Sequence, residues 1–278
     1  MPELPHVQVF KEFLDATALH QEIDHVRIPE RRILEDVSPR TLRRRLLGRH
    51  LASSRRHGKW LFAEVRDAGE RASGEEGRAG WLVFHFGMTG FLRYFEDPEG
   101  APDHVRLQLD FTNGHHLAYD CQRMFGRVRL TDDVEAFVEE RDLGPDARGL
   151  AFEELAGRLT ARSAGRRGAV KSALMNQRVL AGLGNEWSDE ILFQARIHPE
   201  TPVEALTEDD LRELHRQMER VFDAAIAARC RREDFPDRFL NKHRQEGAPC
   251  PGGCGGTIEK LQVAGRSAHL CPRCQRKR

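Results

Sequence analysis

Four cysteines near the C-terminus constrain the fold of this chain more than any other feature. They follow the pattern Cys-x3-Cys, sixteen residues, then Cys-x2-Cys, at Cys250, Cys254, Cys271 and Cys274. Two thiolate pairs held at tight turns can converge tetrahedrally on one Zn²⁺. The intervening residues read as short strands at 257–263 and 267–270, joined by a turn at 264–266. The spacing therefore predicts a hairpin closed by one zinc ion.

Two disulfides are the alternative interpretation of these cysteines. The chain has no apolar signal-peptide core, so it is expected in the cytoplasm, where disulfides are disfavoured. Four thiolates leave no open coordination position, and the zinc is therefore expected to be structural. Cys121 and Cys230 are interpreted as ordinary small residues.

The charge distribution favours a nucleic-acid partner in one region only. The 278 residues have a formal net charge of zero, with 39% hydrophobic and 32% charged residues, as in a soluble globular protein of two domains. No apolar run is long enough for a transmembrane helix, so no membrane partner is expected. Residues 241–278 nevertheless carry eight basic and two acidic residues. Such a field suits a phosphate backbone, although a solubilising tail would look the same.

Hydrophobic periodicity divides the chain into a β-rich half and a helical half. Residues 5–19 have helical spacing, and Asn113-Gly114 is a strong hairpin turn. The segment 66–80 predicts an exposed, mobile hairpin loop because it lacks large apolar residues. Strands are expected at 60–65, 81–86, 91–95, 105–111, 116–119 and 126–130, and helices at 151–159, 170–176, 187–195 and 207–228.

These elements predict an α+β multidomain protein. An N-terminal helix plus an antiparallel β-sandwich would occupy residues 1–141, followed by a linker at 142–149. A helical domain would span 150–246, and the zinc hairpin 247–278.

The first residues, Met1-Pro2-Glu3-Leu4-Pro5, suggest amine chemistry. A small second residue permits removal of the initiator methionine, which would leave Pro2 with a free secondary amine. An α-amino group has a pKa of roughly 7.7–8.0, so part of it is nucleophilic at neutral pH. Attack on an aldehyde-level carbon would give an iminium, and Glu3 could transfer protons beside it. The alternative is that the prolines merely start a helix.

A glycine turn, Gly182-Leu183-Gly184, precedes Asn185 between two helical segments. Glycines permit a tight reversal and close approach of a ligand to the backbone. The free amides of the helix that begins at Asn185 could hold a phosphate. An ordinary turn between helices is the alternative interpretation.

Taken together, these motifs resemble the formamidopyrimidine-DNA glycosylase and endonuclease VIII (Fpg/Nei) family, over nearly the whole chain. The resemblance implies a bacterial base-excision repair enzyme with a helix-two-turn-helix domain, acting on damaged double-stranded DNA as a glycosylase and abasic-site lyase. It rests on the segments 1–5, 57–61, 85–90, 123–126, 143–145, 179–185, 265–267 and 271–275.

The resemblance also implies roles for individual residues. Pro2, Glu3 and Lys59 would be catalytic, with Pro2 forming a Schiff base at C1′ and leading to β- and δ-elimination. Lys59 would also hold a phosphate, as would Asn185 and Arg266. The residues filling the gap left by an everted base would be Met88, Arg123 and Phe125. The alternatives are core packing for Met88 and Phe125, and solvated surface charges for Lys59 and Arg266.

The chain departs from the family pattern at three places. His6 stands where the family has a second glutamate, Met124 where a basic residue often follows Arg123, and the segment 228–249 is short and lacks glycine before Gly247. These departures predict weak recognition of 8-oxoguanine and favour ring-opened purines, oxidised pyrimidines or abasic sites. They also leave open a lesion-binding protein without excision. Either protein is expected to be a cytoplasmic monomer, associated with the nucleoid when bound to DNA.

Overall fold

The structure is a computed structural model, and it describes residues 1–67, 77–163 and 168–277. The chain folds into two compact units. One comprises Met1–Pro2 and His6–Arg141, and the other Glu3–Pro5 and Asp142–Arg278. Within the described ranges, no helix is both long enough and apolar enough to cross a bilayer.

The first unit is a β-sandwich with a helix, α1 (Leu4–Thr17), against its core. Its two four-stranded antiparallel sheets have the orders β1-β6-β7-β5 and β2-β3-β4-β8. Side chains from both sheets and from α1 share one core, which includes Val7, Phe84 and Tyr119. The strands are β1 (Ile23–Arg27), β2 (Arg49–His57), β3 (Trp60–Asp67), β4 (Arg78–His85), β5 (Phe91–Phe95), β6 (Val105–Phe111), β7 (His116–Asp120) and β8 (Arg127–Thr131).

All six predicted strands are present, but the sequence did not predict β1, β2 or two helices. These helices are α2 (Pro39–Leu46) and α3 (Val134–Glu140). Only Leu51 is buried among the nine residues of β2, so its pattern lacks strand periodicity. Arginines dominate α2, yet Ser38 caps it and Pro39 occupies its first turn. That Ser-Pro pair was the available signal for a helix start.

The loop predicted for residues 66–80 falls largely on 68–76, outside the described residues. Its ends belong to strands, because β3 continues to Asp67 and β4 begins at Arg78.

The second unit is helical and ends in a two-stranded hairpin. Its elements are α4 (Phe152–Ser163), α5 (Val170–Met175), α6 (Asn185–Gln194), α7 (Glu208–Ala227), β9 (Glu259–Val263) and β10 (Arg266–Leu270). Thr207 and Asp210 form a capping box at the start of α7, and Trp187 is fully buried in the helical core. The predicted α+β fold class is confirmed. Arg266 was predicted in the hairpin turn, but it is the first residue of β10.

Candidate active site and nucleic-acid interface

Glu3 is clamped onto the first turn of α6. Its side chain is buried, and its carboxylate accepts hydrogen bonds from the amides of Gly184 (2.7 Å), Glu186 (3.0 Å) and Trp187 (3.3 Å). The Leu4 amide donates to the Gly182 carbonyl at 3.0 Å. A carboxylate at a helix N-terminus satisfies orphan amides and complements the helix dipole. These contacts hold the backbone one residue from Pro2.

The two glycines of the turn are required by this clamp. A Cβ on Gly182 would lie 2.5 Å from Leu4 Cδ1, and Gly182 has a φ of +120°. A Cβ on Gly184 would lie 2.5 Å from the Glu3 carboxyl carbon. The close approach that the sequence predicted for a ligand is therefore made by the N-terminal segment of the chain.

The helix amides were expected to be free for a phosphate, and the structure corrects this expectation. The amides of Gly184, Glu186 and Trp187 donate to Glu3. The amide of Asn185, which lies between the first two, does not. A phosphate at this site would therefore be held by the Asn185 side chain or amide rather than by the whole helix terminus.

Asn185 and the tip of the C-terminal hairpin lie close together. Asn185 Nδ2 is 3.4 Å from the hydroxyl oxygen of Ser267, which follows Arg266. Ala264 and Gly265 form the hairpin turn with φ of 47° and 76°, as in a type I′ turn. Arg266 is exposed, and no residue within the described ranges forms an ion pair with it. The fold thus brings together two residues predicted to hold phosphates.

In the first unit, Lys59 lies in the two-residue turn between β2 and β3. Gly58 has a φ of +55°, which suits the first central position of a type II′ turn. Arg56 donates to Gln8 of α1 at 3.0 Å and to the Gly58 carbonyl at 3.1 Å. The turn is therefore attached to α1. His6, in the first turn of that helix, is partly buried.

His85, opposite Trp60 in the sheet, is neutral at physiological pH. Burial, followed by the charges of Lys59, Arg127 and Arg141, lowers the pKa of His85 to about 4. The Gly87 amide donates to its Nδ1 at 3.3 Å. A neutral His85 adds no charge to that of Lys59 and the neighbouring arginines.

Met88, Arg123 and Phe125 are carried by two adjoining loops. Met88 is 38% exposed and Phe125 is 54% exposed, so neither packs in the core. The Arg123 guanidinium lies 5.5 Å from the Phe125 ring centroid, and the Arg123 amide donates to the Thr89 hydroxyl at 3.1 Å. A Cβ on Gly87 would lie 2.4 Å from the Phe125 carbonyl carbon, so the loops require glycine there. Exposed apolar side chains beside an arginine could replace an everted base.

The second unit contains a buried ionic cluster that the sequence did not predict. Lys171 on α5 donates to Asp189 on α6, and both side chains are fully buried. Arg244 donates to the other Asp189 oxygen at 2.5 Å. Burial would raise the pKa of Asp189, but the hydrogen bond from His269 and the Lys171 and Arg244 charges hold it below its usual value. Asp189 is therefore ionised.

The four hairpin cysteines have the geometry of a zinc site. Their sulfur atoms all lie within 4.8 Å of one another. The Cys250 and Cys274 sulfurs are 3.6 Å apart, and those of Cys254 and Cys271 are 3.5 Å apart. Tetrahedral Zn–S bonds of about 2.3 Å would place sulfurs about 3.8 Å apart. The site therefore fits a four-thiolate zinc ion.

The segment between α7 and the hairpin is packed rather than loop-like. Phe235 and Phe239 are buried, and the Phe235 ring lies 5.7 Å from that of Trp187. Glu190 of α6 accepts the amides of Leu240 (3.2 Å) and Asn241 (2.7 Å). Through these contacts the segment packs against the helical core.

Comparison with known proteins places the chain in a family. Its residues 1–128 match the formamidopyrimidine-DNA glycosylase N-terminal domain, 143–233 the H2TH domain of the same enzyme, and 247–276 the zinc finger found in FPG and IleRS. The formamidopyrimidine-DNA glycosylase of Synechocystis sp. is 33% identical, with 100% of this chain and 99% of that protein covered. That of Moorella thermoacetica is 34% identical, with 99% and 92% covered.

The chain belongs to the formamidopyrimidine-DNA glycosylase (Fpg) family.

Solved Fpg structures support this assignment at the level of the fold. Lactococcus lactis Fpg non-covalently bound to DNA containing an abasic site has a TM-score of 0.82 at 27% identity, covering 99% of this chain and 100% of that one. A complex of inhibited Lactococcus lactis Fpg with DNA containing N7-benzyl-Fapy-dG has a TM-score of 0.82 at 26% identity, with the same coverage.

The zinc prediction is confirmed. The Fpg zinc-finger match covers all four cysteines, and their sulfur atoms converge on one point. Zinc in this chain is a single structural ion. Four thiolate ligands leave no position for water or substrate, so the ion stabilises the hairpin and takes no part in Fpg chemistry.

Three buried residues of the second unit had no sequence signal: Lys171, Asp189 and Glu190. Each lies in a short helix, where a polar residue ordinarily faces solvent. Only the tertiary structure shows that all three side chains are buried. The pKa of Glu190 bears on how stability depends on pH.

Burial raises the pKa of Glu190 to about 7, although bonds from Gln194, Asn241 and Leu240 oppose the shift. In the unfolded chain a glutamate has a pKa of about 4.3. The folded protein therefore retains a proton that the unfolded chain releases. This contribution to stability is complete below about pH 4 and is lost as the pH rises towards 7.

We expect Glu190→Gln to remove this pH dependence. Relative to the variant, the wild-type free energy of unfolding should fall by about 2 kcal/mol between pH 5 and 7.5, measured by urea unfolding. Histidines such as His85 titrate in both proteins, so they cancel in the difference. A difference that stays constant with pH would contradict a protonated Glu190.

Proposed function

We propose that this chain excises damaged bases from double-stranded DNA and cleaves the resulting abasic site, with the amine of Pro2 as nucleophile. Family membership makes it a base-excision repair glycosylase, for which lyase activity is also expected. The observation that carries the mechanism is the Glu3 clamp. It holds the residue after Pro2 against the turn of α6 that carries Asn185.

The proposed chemistry begins with removal of Met1, because the Pro2 nitrogen is an unreactive amide while Met1 remains. The free amine attacks C1′ of the damaged nucleotide, and the base leaves with the glycosidic electron pair and a proton. The C1′–O4′ bond then breaks, O4′ takes the electron pair and a proton, and an iminium forms between Pro2 and C1′. The iminium makes the C2′ proton acidic, so its removal expels the 3′-phosphate, and a second elimination expels the 5′-phosphate.

For Glu3, the contacts favour a positioning role over proton transfer. Both carboxylate oxygens already accept backbone amides, and the side chain is only 1% exposed. A group so engaged would need to leave three hydrogen bonds to reach the sugar. We propose that Glu3 orients the Pro2 amine, and that water or another side chain carries the protons.

The DNA grip follows from the same arrangement. We propose that Asn185 and Arg266 hold phosphates on the damaged strand and that Lys59 holds another. Met88, Arg123 and Phe125 would fill the gap left by the everted base, offsetting an eversion cost of a few kcal/mol. Their exposure supports this role, because a core role would have buried Met88 and Phe125.

The preferred lesions are proposed to be ring-opened purines, oxidised pyrimidines and abasic sites. Residues 228–249 are tied into the helical core through Phe235, Phe239 and Glu190, so they offer no long free loop to cover 8-oxoguanine. His6 replaces a second glutamate and cannot supply a carboxylate to the opened sugar. His6 is also the feature that favours the alternative, a lesion-binding protein without excision.

Borohydride trapping on a panel of duplexes tests the function and the lesion preference. We expect covalent adducts with abasic and ring-opened purine duplexes, and trapping with 8-oxoguanine slower by about 10- to 100-fold. Adducts with abasic sites alone would indicate a lyase without glycosylase activity. If no duplex forms an adduct, the alternative of a lesion-binding protein without excision remains.

We infer that the working form is a monomer in the cytoplasm, bound to the nucleoid. In this proposal, residues 1–141 form the catalytic domain and 142–149 a linker. The segment 150–246 would be the helix-two-turn-helix domain, and 247–278 the zinc-finger hairpin.

A further inference from the structure

The outer edge of β10 is bonded by two side chains instead of another strand. One edge of β10 pairs with β9 from Arg266 to Leu270. On the other edge, the Ser267 carbonyl accepts a hydrogen bond from Lys171 Nζ at 2.8 Å, and the His269 amide donates to Asp189 at 3.1 Å. The backbone amide and carbonyl groups of residues 267 and 269 face the same edge, because those of alternate residues in an antiparallel strand face the same side.

These contacts come from buried side chains on two helices. Lys171 and Asp189 are fully buried, belong to α5 and α6, and bond to each other. Arg244 completes the environment of the Asp189 carboxylate. Removing one member of such a buried pair leaves an uncompensated charge, so loss of either partner is strongly destabilising.

The zinc ion alone would leave the hairpin tip poorly positioned. Arg266 and Cys271 are five positions apart, about 17 Å along an extended strand. The bond from Lys171, in contrast, is made at Ser267, directly beside Arg266. Asn185 also approaches Ser267, through its hydroxyl. The tip is therefore placed by helices α5 and α6 rather than by the metal.

We infer that Lys171 and Asp189 form a latch that positions Arg266 relative to Asn185, and thereby sets the spacing of the two phosphates that these residues hold. Lys171 is a positioning residue, because a fully buried ammonium cannot itself contact DNA. The inference rests on the proposed function, in which Arg266 binds a phosphate.

A double-mutant cycle on full-length, zinc-loaded protein tests the latch, with binding to an abasic-site duplex measured across a salt series. The slope of log K against log salt is negative, and Arg266→Ala should reduce its magnitude by about 0.9, the value of one phosphate contact. Lys171→Met should weaken binding about tenfold and lower the slope similarly. The double variant should bind like Arg266→Ala alone, because both changes remove the same contact.

Lys242→Met is the matched control. Lys242 also donates to an aspartate (Asp237, 2.7 Å) and to a backbone carbonyl (Phe235, 3.2 Å), but it has no bond to β10. Replacing Lys242 removes the same charge, and we expect no coupling energy between Lys242→Met and Arg266→Ala in DNA binding. If Lys171→Met does not fold, Asp189→Asn enters the same cycle.

Hydrogen exchange of the His269 amide separates failure of the latch from failure of the proposed function. An unchanged salt slope in Arg266→Ala would remove that residue from the phosphate contacts of the proposed function. The latch would be overturned if the losses in DNA affinity were additive in the double variant. It would also be overturned if the His269 amide exchanged as slowly in Lys171→Met as in the wild type. Faster exchange together with non-additive binding supports it.

Discussion

Replacing Pro2 with glycine is expected to abolish or sharply reduce borohydride trapping while binding to an abasic-site duplex stays within about twofold. Glycine is also a small second residue, so removal of Met1 should be retained. Its primary amine gives an imine that must gain a proton to become an electron sink, and it lacks the ring that orients the proline nitrogen. Misplacement of a reacting group by about 1 Å can cost about 100-fold, and we expect a loss of at least that size.

Pro5→Gly is the matched control for this experiment. It removes a proline from the same segment without touching the nucleophile, so it should still form the adduct. Mass analysis of each N-terminus confirms that Met1 has been removed. Full trapping by Pro2→Gly, or a parallel loss of trapping and binding, would count against Pro2 as the nucleophile.

The second large effect is expected for Glu3→Gln. Glutamine offers one acceptor oxygen where three amides require both carboxylate oxygens, and its NH₂ group would face an amide donor. The charge that complements the α6 dipole is also lost. We expect the free energy of unfolding to fall by about 1–3 kcal/mol, and single-turnover base excision to slow by about 100-fold.

The pair of measurements separates positioning from proton transfer. If Glu3 only transferred protons, Glu3→Gln would slow base excision but leave the free energy of unfolding unchanged. Glu186→Gln is the control, because Glu186 lies on the same helical turn and its side chain pairs at 3.0 Å with the exposed Arg232. That pair lies near the surface and should contribute at most about 1 kcal/mol. Wild-type stability in Glu3→Gln would contradict the clamp.

Much of the fold was predictable because its determinants are local. The cysteine spacing predicts the zinc hairpin, since the ligands of one metal must lie at tight turns. Short β-like runs predict the strands from β3 to β8, and helical spacing predicts α4 to α7. Among the elements that the sequence did not predict, α2 and β2 are rich in arginine. Tertiary packing of a few residues such as Leu42, Leu46 and Leu51 decides them instead.

The family, the zinc ligands and the candidate nucleophile can be identified from the sequence, because they depend on residue type and order. The sequence could not show that Glu3 fills the N-terminus of α6, since the two segments are 181 positions apart. Nor could it show that Lys171 and Asp189 hold the strand that carries Arg266. Those roles depend on which buried polar groups meet, and only the folded chain decides this, because a buried charge must find its partners in three dimensions.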